Sequence, residues 1–124
     1  ANNMTGPHAG VVKMQGSAIF RQAVTKMSAA LTKLLKDNSI SIREVDWLIP
    51  HQANVNLIQT LAKGLQLPEE KVIMTIEKQA NTSSASVPLA LHQAICEQRI
   101  QRGELLLLES FGGGVTWGAS LIRY

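Results

Sequence analysis

The stretch Asp46-Trp47-Leu48-Ile49-Pro50-His51-Gln52-Ala53-Asn54 decides how the rest of the chain is read. Trp47, Leu48 and Ile49 are three large apolar residues in a row, the pattern of a strand buried on both faces, as in a parallel sheet. Pro50 stops the strand. His51 therefore falls just past a strand's carboxyl end. Asn54 begins a helical pattern at Val55, Ile58, Leu61, Ala62 and Leu65. In open α/β sheets, ligands and chemistry collect at that edge.

On the N-terminal side, residues 1–9 are polar and punctuated by Gly6 and Pro7, so they are expected to form a mobile lead-in to one domain over 10–124. Val11, Val12 and Met14 predict a short strand. Gly16-Ser17 then opens a long helix whose apolar positions Phe20, Ala23, Val24, Met27, Leu31, Leu34 and Leu35 keep helical spacing. Asp37-Asn38 ends it. Ser41-Ile42-Arg43-Glu44 has the form of a capping box and starts a brief helical turn before the Trp47 strand.

On the C-terminal side, Gly64 is the expected stop of the helix after His51, and Leu67-Pro68-Glu69-Glu70 marks another helical start. Val72-Ile73-Met74-Thr75-Ile76, rich in β-branched residues, predicts a third strand. A polar loop from Lys78 to Ser84 leads into a helix with Val87, Leu91, Ala94 and Ile95 on one face. Pro88 is tolerable there in the first turn, and Arg102-Gly103 is the expected close. Glu104 to Ser110, with the apolar run Leu105 to Leu108, is a strand, Phe111-Gly112-Gly113-Gly114 a turn, and Val115 to Arg123 a last strand, so the two strands should pair as an antiparallel hairpin. The order β-α-β-α-β-α-β-β gives an α/β fold with a mixed, mostly parallel sheet. Three irregular stretches then share the strand carboxyl ends: the loops bearing His51 and Asn81, and the Phe111 to Gly114 turn.

Composition limits the chemistry. The 124 residues are 45% hydrophobic, enough for a real core. Twelve Lys and Arg against nine Asp and Glu give +3, and the basic residues are scattered, which speaks against nucleic-acid binding. The single cysteine, Cys96, excludes an internal disulfide and a Cys-based zinc site and fits a reducing compartment. No apolar run approaches the roughly 20 residues of a membrane span, and the first residues are unlike a signal peptide, so a soluble, cytoplasmic protein is expected. Paired carboxylates, a metal-ligand cluster, GxSxG and P-loop motifs are all missing.

Each candidate residue also has a plain structural reading. A histidine after a proline is commonly satisfied by a backbone carbonyl, an asparagine in a Thr-Ser-Ser loop is commonly a turn or cap residue, and three glycines commonly make only a tight turn. The functional alternative for the glycines is close approach of backbone N–H groups to developing negative charge. Cys96, inside a helix, is expected to be a packed thiol, and His92 on the same helix to be structural.

The three stretches Trp47 to Asn54, Asn81-Thr82-Ser83-Ser84-Ala85-Ser86-Val87-Pro88, and Phe111 to Ala119 together resemble the C-terminal half of β-ketoacyl-[acyl-carrier-protein] synthase III, over about Val11 to Tyr124. The resemblance implies one of the two β-α-β-α-β-α-β-β halves of the thiolase fold. Two members of that family's Cys-His-Asn triad map onto His51 and Asn81. The nucleophilic cysteine belongs to an N-terminal half outside this sequence, and Cys96 does not replace it, so this chain alone is expected to be inactive.

The chemistry implied is decarboxylative Claisen condensation of malonyl-acyl-carrier protein with an acyl-coenzyme A primer in fatty acid biosynthesis, with no cofactor and no metal. His51 and Asn81 would stabilise the enolate through neutral N–H donors. The backbone N–H of Gly113 would help hold the second oxyanion, and Phe111 would border the nucleophile. The resemblance further implies a homodimer of the full enzyme. A docking region for acyl carrier protein and coenzyme A would include Arg21, Gln52, Ala53, Asn54, Asn56 and Lys63.

Two departures stand out. Asn56 replaces an arginine common in the family, removing one charge-assisted contact. Gln79-Ala80 replaces an aromatic or histidine followed by glycine, and Ala80 would be strained if that glycine has positive φ. Related polyketide or hydroxymethylglutaryl synthases, and a non-catalytic module binding coenzyme A or a carrier protein, are the alternative readings.

Overall fold

Side-chain alternation along the central strand sets up two layers. The computed structural model describes residues 16–112 and 116–124. The expected strand at Val11 to Met14, the lead-in, and residues Gly113 to Val115 lie outside that range. Strand β1 (Trp47–Ile49) lies beside β2 (Leu105–Gly112), which lies beside β3 (Thr116–Arg123). β1 and β2 are parallel, with Leu48 opposite Leu107, and β2 and β3 are antiparallel from Leu105↔Arg123 to Gly112↔Thr116, the expected hairpin, except that Phe111 and Gly112, expected in its turn, are paired residues of β2.

Successive residues of a strand point to opposite faces. Leu48, Leu105 and Leu107 face one core with Ala23, Met27 and Leu31 of α1 (Gly16–Asp37) and Leu57, Ile58 and Leu61 of α2 (Val55–Gly64). Ile49 and Leu106 face the other with Ala90 and Ala94 of α4 (Ser86–Cys96), and Trp47 and Leu108 pack against it. The Trp-Leu-Ile run is thus buried on both faces.

The expected third strand is a correction. Val72 makes one parallel bridge to Leu48, and the Ile73 N–H reaches the Leu48 carbonyl at 2.9 Å. Beyond that point α3 (Ile76–Gln79) begins. The reason is Gln52, whose amide accepts the Thr75 N–H at 2.8 Å and donates to the Ile73 carbonyl at 3.2 Å. A buried side chain takes the hydrogen bonds that a strand partner would otherwise supply.

Helix ends follow one device. After α1, α2 and α4 the chain turns through Ser39, Gln66 and Gln98, with φ of 53°, 59° and 59°. Each turn carries the two backbone bonds of a Schellman motif, such as Arg99 N–H to Ala94 O and Gln98 N–H to Ile95 O, both 3.0 Å. α4 therefore closes at Cys96, not at Arg102-Gly103. α2 does end at Gly64 as expected, but at none of the three ends is the positive-φ residue a glycine. The capping box forms as expected: the Ser41 N–H donates to Glu44 Oε2 at 2.7 Å, and Ser41 Oγ accepts from the Arg43 N–H at 3.3 Å.

Candidate active site

Pro50 ends β1 and delivers His51 to the strand's carboxyl edge, where neighbouring elements hold it. Its backbone N–H donates to Glu109 Oε2 on β2 at 3.3 Å. Its Nδ1 lies 2.6 Å from the hydroxyl of Ser86, the first residue of α4, and the same hydroxyl accepts the Gln52 N–H at 3.3 Å. Gln52, only 1% exposed, adds a bond from its amide to the Pro50 carbonyl at 2.8 Å. Asn54 caps α2, its Oδ1 accepting from the Leu57 N–H at 2.7 Å. The loop is pinned at almost every residue.

Electrostatics favour neutral groups here. His51 is 9% exposed, and burial lowers its pKa, so the imidazole is uncharged near neutral pH. The Glu109 carboxyl is 1% exposed and its Oε1 is without a partner among the described residues, so desolvation pushes its pKa up to about 8, against a small opposing effect of the His51 N–H. A neutral imidazole above a neutral acid presents donors without net charge.

Asn81 lies in the exposed connection between α3 and α4. Its Oδ1 accepts the Ser83 N–H at 3.0 Å, an Asx turn that points the NH₂ end elsewhere. Ala80 has φ 55° and ψ −159°, a region reached readily only by glycine, and Ser83 has φ 58°. Strained backbone flanks the residue on both sides. Three buried oxygens of this segment, Thr75 Oγ1, Gln79 Oε1 and Thr82 Oγ1, have no partner among the described residues.

The hydrogen bonds join His51, Gln52, Ser86 and Glu109 into one network. Asn81 is tied to it through the chain, five residues before Ser86. Phe111 is half-buried near the end of β2 and packs against the α1–α2 core. Gly113 lies outside the described residues. Of the expected docking set, Arg21, Asn56 and Lys63 are exposed, Ala53 is half-buried, and the side chains of Gln52 and Asn54 are committed to the loop and the cap.

Cys96 is a correction. It is exposed at the C-terminal end of α4 with Sγ 3.5 Å from His92 Nε2, not packed, and the helical rise puts it about 15 Å from Ser86. Among the described residues no group of three or more His, Cys, Asp or Glu could hold a metal, and no helix is long and apolar enough to cross a membrane.

Ser86 and Glu109 escaped the sequence reading. Glu109 did leave a signal: it shares the strand parity of the core residues Leu105 and Leu107, so an acid was due on the buried face. Ser86 left none, because a serine at a helix start reads as a cap.

Residues 35–124 match the family described as 3-oxoacyl-[acyl-carrier-protein (ACP)] synthase III C terminal. The chain belongs to this family. A β-ketoacyl-[acyl-carrier-protein] synthase III from Alkalilimnicola ehrlichii is 50% identical over 119 residues, covering 96% of the chain and 36% of that protein. The crystal structure of 3-oxoacyl-[acyl-carrier-protein] synthase III from Aquifex aeolicus superposes with a TM-score of 0.92 at 44% identity, over 96% of the chain and 39% of that structure. The enzyme from Pseudomonas aeruginosa gives 0.88 at 37% identity, over 90% and 35%. The fold is that of the C-terminal part of the synthase, a thiolase-like half with parallel and antiparallel strands. The chain spans a little over a third of the length of the curated relatives it matches.

Proposed function

We propose that this chain supplies the decarboxylation side of a β-ketoacyl-[acyl-carrier-protein] synthase III site. In this reading the nucleophilic cysteine comes from the remainder of the synthase, and this polypeptide alone does not turn over. The observation that carries it is His51: a buried, uncharged imidazole at a strand's carboxyl edge, with its backbone and one ring nitrogen already bonded.

An acyl group first passes from coenzyme A to that cysteine. The malonyl thioester of the carrier protein then binds with its carbonyl oxygen facing His51 and Asn81. As the bond to the carboxylate breaks, its electron pair moves into the thioester to form an enolate, and CO₂ leaves. Neutral N–H donors suit this step, since a cation would hold the departing carboxylate. The enolate carbon then attacks the acyl carbonyl, forming the carbon–carbon bond and expelling the cysteine thiolate. The Gly113 N–H would help hold that second oxyanion, and Phe111 would border the nucleophile and shield the site from water.

Docking of the carrier protein and of coenzyme A is assigned to the surface around Arg21, Ala53, Asn56 and Lys63, with Gln52 and Asn54 shaping the loop beneath. Asn56 supplies no charge there, so the carrier's acidic groups are left with fewer basic partners. The whole synthase is taken to be a cytoplasmic homodimer that needs no cofactor. Groups from its remaining part could partner Thr75, Gln79 and Thr82.

The test is His51→Ala in the full-length synthase that carries this chain, with malonyl-thioester decarboxylation as readout. Loss of one such donor costs roughly 10²–10³ in rate. An unchanged rate with intact carrier binding would leave only a docking module.

A further inference from the structure

We propose that Ser86 is the positioning residue that fixes His51 as the neutral tautomer protonated on Nε2, with that N–H turned to the substrate. This rests on the enolate-stabilising reading of His51 given above. One hydroxyl proton decides the tautomer.

Ser86 is 1% exposed, and among the described residues its Oγ has two partners, the Gln52 N–H at 3.3 Å and His51 Nδ1 at 2.6 Å. The backbone N–H of Gln52 can only donate, so it occupies a lone pair of the serine oxygen. If Nδ1 also carried a proton, the oxygen would accept twice and its own buried O–H would have nowhere to go. A buried hydroxyl left without an acceptor keeps the full cost of its desolvation. If the serine O–H donates to Nδ1, every group is satisfied. Nδ1 is then the acceptor, and the ring's proton sits on Nε2.

Two further features act in the same direction. Ser86 is the first residue of an eleven-residue helix, whose N-terminal end carries partial positive charge and opposes protonation of a ring beside it. The backbone of His51 is held independently by Glu109, and Gln52 fixes the loop after it, so the ring's own orientation is left to the serine contact. The segment from Asn81 to Ser86 thus carries the second donor at one end and the residue that orients the first at the other. Movement of that segment displaces both donors together.

The experiment is ¹⁵N NMR of histidine in the full-length synthase that carries this chain, with decarboxylation measured on the same samples. For the wild type the expected result is His51 neutral and protonated on Nε2 near neutral pH. Ser86→Ala is expected to give a mixture of tautomers and a fall in decarboxylation kcat of about 10- to 100-fold, taking the size known for partners that orient metal-bound histidine rings, with KM little changed. Ser86→Thr, which keeps the hydroxyl, is expected to restore the Nε2 tautomer. Finding Nδ1 protonated in the wild type, or an unchanged tautomer in Ser86→Ala, overturns the proposal. That outcome is distinct from failure of the underlying reading, which requires His51→Ala to leave decarboxylation intact.

Discussion

Glu109 should make the stability of this chain fall as pH rises from acid to mildly alkaline. The carboxyl is buried with one oxygen on the His51 N–H at 3.3 Å and the other unpartnered among the described residues, and its pKa moves from an ordinary 4.5 up to about 8. The folded chain therefore keeps a proton that the unfolded chain releases. A raised folded-state value means the contribution is fully present below pH 4.5, declines as pH rises, and is lost once pH passes about 8. Each pH unit in that interval costs about 1.4 kcal/mol, so the whole interval amounts to roughly 5 kcal/mol. That is comparable to the entire stability of a small domain.

Glu109→Gln replaces the neutral acid by a neutral amide of the same shape, and its stability should lack this decline. Urea unfolding of both proteins across pH 4.5 to 8, followed by circular dichroism, reads the difference directly. The gap between variant and wild type should widen with pH by about 3–5 kcal/mol. A gap constant within about 1 kcal/mol would refute the reasoning, because it would mean that the buried carboxyl is already ionised in the folded chain.

Other outcomes follow from particular residues. Ala80→Gly should stabilise by about 1 kcal/mol, since relief of roughly 1–3 kcal/mol of backbone strain outweighs the greater freedom of glycine in the unfolded chain; a lower urea midpoint would contradict this. Gln52→Leu strips partners from the Pro50 and Ile73 carbonyls and the Thr75 N–H, and should destabilise by about 3–5 kcal/mol, read from the unfolding midpoint. His51 titrates in the opposite sense to Glu109. Because burial lowers its pKa from 6.5, its contribution is present above that value and lost as pH falls, so the stability of the wild type relative to His51→Gln should fall as pH drops below that value.

Local chemistry made much of the fold readable. The Trp47 to Ile49 run, the helix start at Asn54, the Ser41 capping box and the hairpin are each written in a few adjacent residues, and each forms. What failed depends on a contact distant in sequence or on a residue in an unusual backbone conformation. The strand expected at Val72 to Ile76 is shortened because Gln52, more than twenty residues earlier, takes its hydrogen bonds. The end of α4 was missed because Gln98 adopts the left-handed conformation usually given to glycine, and Cys96 was misplaced as a result. Ala80 stands where the family resemblance puts a glycine, and it does have positive φ, the condition under which strain is expected there. At the candidate site, His51 and Asn81 could be named from sequence, whereas Ser86 and Glu109 acquire their places only when the first turn of α4 and the middle of β2 meet at the end of β1.

The paired-donor role of His51 and Asn81 is tested by malonyl-thioester decarboxylation in the full-length synthase carrying this chain, compared among wild type, His51→Ala and Asn81→Ala under saturating substrate. Each substitution is expected to lower the rate by roughly 10²–10³ while carrier binding persists. Wild-type rates in both variants would contradict it.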